Sequence, residues 1–167
     1  MFTSEELALI DNATWYGGAI TLNKATLQKL SEDISYERNK ETIYTNKLGL
    51  INTSDFIKAS VNEGCDSLKS SNENNAPCNG ENYLLKKYEY WTLNPVDGRD
   101  KYVWSIGKNG TVVSKKASIE NVYLRPTLYL NNSVKLIGTG DAKNPFSIQK
   151  DEPETEIEIT EENKIDE

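Results

Sequence analysis

From Tyr83 onward the chain is a succession of short β-rich runs separated by turn formers, and this rhythm limits the possible folds more than any other feature. "YEYWTL", "KYVWSIG", "TVVSK", "LRPTLYL" and "SVKLIG" are divided by "NPVDGRD", "KNG", "KASIEN" and "NN". Runs of this length and spacing make antiparallel sheet with tight connections. "SIGKNGTVV" is the sharpest local signal, a hairpin turning at Asn109-Gly110. Pro126 cannot donate to a ladder, which marks "LRPTLYL" as an edge strand or a bulged one.

Upstream of Tyr83 the pattern is mixed. "TSEELALIDNA" begins a short helix with Thr3 or Ser4 as cap and acids in the first turn. "TWYGGAITL" reads as extended, with Gly17-Gly18 marking a bend. "NKATLQKLSEDISYER" carries Ala25, Leu27, Leu30 and Ile34 at near-helical spacing behind Asn23, the strongest helix signal in the chain. "KLGLIN" reads as a short strand and "TSDFIKAS" as a short helix capped at Thr53 or Ser54. Residues 61–82 form a long polar stretch with little pattern.

Two cysteines, Cys65 and Cys78, flank the centre of that stretch. One disulfide closing the loop is the favoured reading and implies an oxidising, extracytoplasmic setting; the alternative is two unpaired surface thiols. A chain without histidine and with two cysteines cannot assemble a four-ligand Cys/His metal site. No run of apolar residues reaches membrane-spanning length and the start is no signal peptide, so any export signal, membrane anchor or wall anchor is expected outside this chain.

The net charge of −7 is a property of one end. Nine of the 26 acids and one of the 19 bases lie in residues 151–167, leaving eighteen bases and seventeen acids in 1–150. The body has no concentrated basic face, which argues against nucleic acid as a partner. Residues 1–150 are therefore read as one domain and 151–167 as an acidic tail or linker. Within the tail, "ETEIEIT" alternates, with Ile157 and Ile159 on one face, so it could instead add a strand to a neighbouring subunit's sheet.

Catalytic patterns are missing. There is no histidine, no GxSxG elbow and no phosphate-binding glycine loop, and the expectation is a non-enzymatic chain needing no cofactor. "NPVDGRD" offers Asn94, Asp97 and Asp100 as hard oxygen groups, but the spacing does not match an EF-hand, and no metal site is assigned. Strand alternation puts Trp91 and Leu93 on one face with Tyr88 and Tyr90 on the other. It also sets Arg125, Thr127 and Tyr129 on one face of "LRPTLYL". Trp91, Leu93, Trp104 and Ile106 are expected in the core. Tyr88, Tyr90, Asn94, Asp97, Arg99, Asp100 and Tyr129 are the candidate ligand-binding residues, on an adaptable tyrosine-and-loop surface.

The order of several segments resembles a group of surface-protein domains from Firmicutes-type bacteria. "ATWYGG", "ISYERNKETIY" and "KLGLINTSDFIKAS" occur first, then "CNGENYLLKKYEYWTLNP", "YVWSIGKNGTV" and "LRPTLYLNNSVKLIGTGDAKNPFSI". The resemblance spans roughly residues 13–149. It is similar to domains with a "WWLRSP…VRPAL" signature that are associated with the C-type-lectin-like fold. The resemblance implies an α+β domain with two helices, a short-stranded, mainly antiparallel sheet, long loops on a binding side, and display on a bacterial cell surface. Cys65 and Cys78 look like that group's cysteine pair. The Glu-Pro-Asn and Trp-Asn-Asp motifs of calcium-dependent lectins are absent, as is the cysteine arrangement of formylglycine-generating enzymes, so neither activity carries over. The expected function is a non-catalytic recognition or adhesion module with a protein or glycan ligand. The alternative is a structural subunit of a surface assembly such as a minor pilin, with neighbouring subunits as partners.

Overall fold

A computed structural model of the 167-residue chain describes residues 2–21, 28–29, 35, 37–38, 42–65, 67–68, 76–79, 81–141 and 143–149. The architecture is α+β with mainly antiparallel pairing. Two compact units divide the chain, Met1–Leu130 and Asn131–Glu167.

The first unit opens with helix α1 (Ser4–Ala8). Thr3 caps it: its hydroxyl accepts from Glu6 N at 3.2 Å while the Glu6 carboxylate accepts from Thr3 N at 2.8 Å. Strand β1 (Ala13–Tyr16) pairs antiparallel with β4 (Ile43–Asn46), so that Trp15 faces Tyr44 across the ladder. Strand β2 (Ile20–Thr21) follows the Gly17-Gly18 bend and lies at the edge of a four-stranded sheet. Its neighbours, in spatial order, are β6 (Tyr90–Asp97), β7 (Tyr102–Ile106) and β8 (Val112–Lys116). The β7–β8 hairpin turns through Asn109-Gly110 as the sequence indicates, with Gly110 at φ +75° and Gly107 N donating to Thr111 O at 2.8 Å.

Helix α2 (Thr53–Lys58) buries Phe56 and Ile57 against Ile20, Tyr90, Trp104 and Ile106. All six are at most 1 % exposed, and each such side chain contributes about 1.5–3 kcal/mol of hydrophobic stabilisation. The Cys65–Cys78 disulfide is formed, and Cys78 sits in the single helical turn α3 (Ala76–Asn79). Asn82 ties this loop to the core: its amide donates to Phe56 O and Cys78 O, and its carbonyl accepts from Leu84 N. The bridge fits an oxidising, extracellular setting. Among the described residues no helix is long and apolar enough to cross a membrane.

Four expectations change. Within the expected helix at 23–38, β3 (Gln28–Lys29) is a strand paired with β5 (Ser67–Leu68), a long-range partner overriding local propensity. Ser35 and Glu37 are helical, and the remainder of that segment lies outside the described residues, apart from a turn at Arg38. "KLGLIN" and the expected edge strand "LRPTLYL" contribute only isolated bridges, Gly49 to Thr127 and Ile10 to Leu130, and the strand near the first falls earlier at β4. The stretch 61–82 is not patternless, since it carries β5 and α3.

The fourth change concerns β6. Tyr90, Trp91, Thr92, Asn94 and Val96 are all buried, so neither face is exposed. The strand is interior to its sheet, and beyond its β2 and β7 neighbours Trp91 N reaches Tyr123 O and Leu93 N reaches Ile51 O. Its register against β7 also shifts between Trp91 and Pro95. Such a bulge breaks strict alternation, and the Thr92 hydroxyl fills the gap by donating to Trp104 O at 2.9 Å. Trp91, Trp104 and Ile106 are in the interior as expected, while Leu93 is half-buried.

In the second unit, β9 (Leu136–Ile137) pairs antiparallel with β10 (Ser147–Ile148). The connecting loop closes on Asp141, whose carboxylate accepts from Thr139 Oγ1, Lys143 N and Asn144 N. Those donors hold its pKa below the usual value, the Thr139 hydroxyl most of all. The tail 151–167, including Ile157 and Ile159, lies outside the described residues.

Candidate functional site

Trp15 is the cornerstone of a groove on the first unit. Its indole Nε1 donates to Asn46 O at 2.8 Å across the β1–β4 ladder. Gly49 lies flat against the ring: a Cβ there would meet the indole at 2.3 Å, so only glycine allows this approach. Gly49 in turn exchanges two backbone hydrogen bonds with Thr127, at 3.0 and 2.8 Å. That exchange sets the 125–129 segment beside Trp15 and places the Tyr129 ring 5.4 Å from the indole, tilted by 44°. Tyr129 O also accepts from Asp11 N at 2.9 Å. The ring itself remains 57 % exposed while Trp15 behind it is buried.

Helix α2 forms the opposite wall. Its first turn is fixed from two sides. Asn94, fully buried, accepts from Thr53 N at 2.8 Å and donates to Gly18 O at 3.2 Å. Glu37 accepts from Thr53 Oγ1 and Ser54 N, each at 3.0 Å, and from the Ser54 hydroxyl. Burial pushes the Glu37 carboxyl above the usual carboxylate range, against the pull of the Ser54 and Thr53 donors. The neighbouring Arg38 is exposed at the groove. Asp55 accepts from Asn52 N at 2.8 Å, and Lys58 stands three residues on.

The result is two adjoining lobes that share Asp55, Lys58 and Tyr129. The first, about 240 Å³, is polar and adds Glu37, Arg38, Asn52 and Ser54. The second, about 450 Å³, adds Arg125 with Ile51, Leu84 and Tyr83. Arg125 is held by its hydrogen bond to Leu84 O at 3.1 Å and by the Tyr90 ring 5.4 Å beneath it. Arg38 and Lys58 make no ion pair among the described residues. Asn52 is the N-cap of α2, and its Oδ1 is shut off from solvent.

The candidates read from sequence are not gathered at one place. Tyr129 is in the groove. Tyr90 is fully buried, donates its hydroxyl to Leu84 O at 2.8 Å, and has its pKa pushed up to about 12 by desolvation. Its expected exposure is therefore wrong, as is that of Asn94, because β6 is interior. Tyr88 stacks at 4.9 Å on Tyr123, away from the groove lining. Asp97, Arg99 and Asp100 form an exposed turn, with Gly98 and Lys101 in the left-handed region and the Arg99 guanidinium 3.7 Å above the Tyr102 ring. Arg38, Asn52, Asp55 and Lys58 were missed. Their signal in "TSDFIK" is the split between inward Phe56-Ile57 and outward Asp55 and Lys58. Arg125, Thr127 and Tyr129 do border the groove together, but Pro126, expected on the opposite face, borders it too.

No group of three metal-ligating side chains occurs among the described residues. No family model, curated protein or solved structure matches the chain.

Proposed function

We propose that this chain is a non-catalytic recognition or adhesion module, displayed on a bacterial surface on a C-type-lectin-like scaffold, and that the Tyr129 groove is its contact site. The observation that carries the reading is the groove itself. An exposed aromatic ring is backed by a buried tryptophan and flanked by cations from three separate segments, Arg38, Lys58 and Arg125. Concave sites of this make-up, mostly preformed and with a few fixed polar groups, are what binding proteins present to ligands. The resemblance of residues 13–149 to surface-protein domains and the disulfide support the extracellular setting.

Glu37 supports the non-catalytic part. Both of its oxygens accept hydrogen bonds from Thr53 and Ser54 and the residue is 3 % exposed, so it is poorly placed to exchange a proton with a bound molecule. The test is capture on a broad glycan and protein array, comparing the full chain with its Tyr129→Ala variant. Specific capture that the variant loses is the expected result. A silent array, or capture indifferent to Tyr129, contradicts the proposal.

A further inference from the structure

We infer that the groove selects a sugar ring carrying a carboxylate, with the acid toward Lys58 and Arg38 and a ring face on Tyr129. The inference rests on the recognition reading above and names its ligand class.

Two features of the groove converge on this chemistry. Charge comes first. Lys58 and Arg38 line the polar lobe and neither is ion-paired among the described residues, while Arg125 is fixed in the adjoining lobe. The carboxylates present are already engaged: Asp55 with Asn52 N, and Glu37 with three donors from Thr53 and Ser54. Burial also favours the neutral form of Glu37, which leaves Asp55 as the nearby negative charge. An anion thus meets three cations, Arg38, Lys58 and Arg125, against Asp55.

The second feature is the Tyr129 ring, which is solvent-exposed on a rigid mount and suited to an apolar ring face with polar edges. An acidic peptide is the competing ligand, but peptides anchor through buried apolar side chains, and the lobe holding Arg38 and Lys58 is polar.

The experiment is an NMR titration of the ¹⁵N-labelled full chain with four probes. They are methyl β-D-glucuronide, methyl β-D-glucoside, the methyl α-glycoside of N-acetylneuraminic acid, and the capped peptide acetyl-Glu-Tyr-Glu-amide. At least one acidic sugar is expected to shift the Trp15 indole and the Lys58 and Tyr129 amides. The winner between the glucuronide and the sialoside tells which acid is taken. The neutral glucoside, where compared with a binding glucuronide, should be about tenfold weaker, the loss expected for one charge-assisted contact. K58Q, at an exposed position, should reduce the acidic sugar to about the level of a neutral one, with a dispersed spectrum showing an intact fold. Equal affinity for glucuronide and glucoside overturns the charge selection. Shifts with the peptide alone overturn the sugar assignment. Silence from all four probes overturns the inference, and the recognition reading then stands or falls on the array.

Discussion

The groove and the β6–β7 turn are built from the same residue types and are organised differently. Each has arginine, aspartate and tyrosine within reach. In the turn, Arg99 lies over Tyr102, Asp97 and Asp100 are exposed, and a Cβ on Gly98 would touch nothing within 4 Å. In the groove, Tyr129 is backed by Trp15, Trp15 by Gly49, and the first turn of α2 by Asn94 and Glu37. Composition alone does not distinguish the two surfaces. What distinguishes them is concavity and a second layer behind Tyr129 and the first turn of α2.

Perturbations of stability can break or sharpen this contrast. The disulfide, apart from both regions, sets the scale. Replacing Cys65 and Cys78 by serine should cost about 3 kcal/mol in chemical denaturation, chiefly by freeing the unfolded chain across a separation of 13 residues. Next comes Asn94→Ala, which strips an acceptor from Thr53 N and a donor from Gly18 O in the interior. It should cost about 2 kcal/mol, whereas Asp100→Ala, in the exposed turn, should stay within about 0.5 kcal/mol. Equal losses from the two would erase the distinction between a backed wall and an open turn.

The glycines give a smaller pair. Gly49→Ala drives a methyl into the Trp15 ring at 2.3 Å, and should cost roughly 1–3 kcal/mol and move the Trp15 indole signal. Gly98→Ala has room but a φ of +68°, and should cost about 1 kcal/mol with no effect on Trp15. The smallest effect concerns pH. Burial raises the Glu37 pKa above its ordinary 4.5, so the native state holds that proton more tightly than the unfolded chain. Its contribution is therefore most favourable below the ordinary value and is lost as pH rises through the folded value. Urea midpoints between pH 4 and 7 should fall less with rising pH in Glu37→Gln than in the wild type; identical slopes would mean Glu37 ionises freely.

Local signals in the sequence were reliable where local chemistry decides the outcome. The Thr3 cap, the Asn109-Gly110 turn and the α2 segment all follow from short-range hydrogen bonding and backbone preference. They failed where a distant partner decides. Gln28–Lys29 is strand because Ser67–Leu68 lies beside it, and Tyr90 is buried because β2, β7 and residues 51 and 123 surround β6. The groove shows both cases. Alternation groups Arg125, Thr127 and Tyr129, and all three border the groove, although Pro126 between them does so too. Their meeting with Lys58 and Arg38 depends on the Gly49–Thr127 exchange, which no periodicity encodes. Asn94 is the instructive error: an oxygen-bearing residue in a turn-like "NP" stretch that proves to be an internal brace for α2.

The central claim is that ligands meet the groove and not the turn, and two matched charge reversals test it. Lys58→Glu and Arg99→Glu are both exposed substitutions with the same change in charge, one in each region. On the same glycan and protein array, Lys58→Glu should abolish specific capture and Arg99→Glu should leave it within about twofold of wild type. Capture lost with Arg99→Glu and kept with Lys58→Glu would contradict the account.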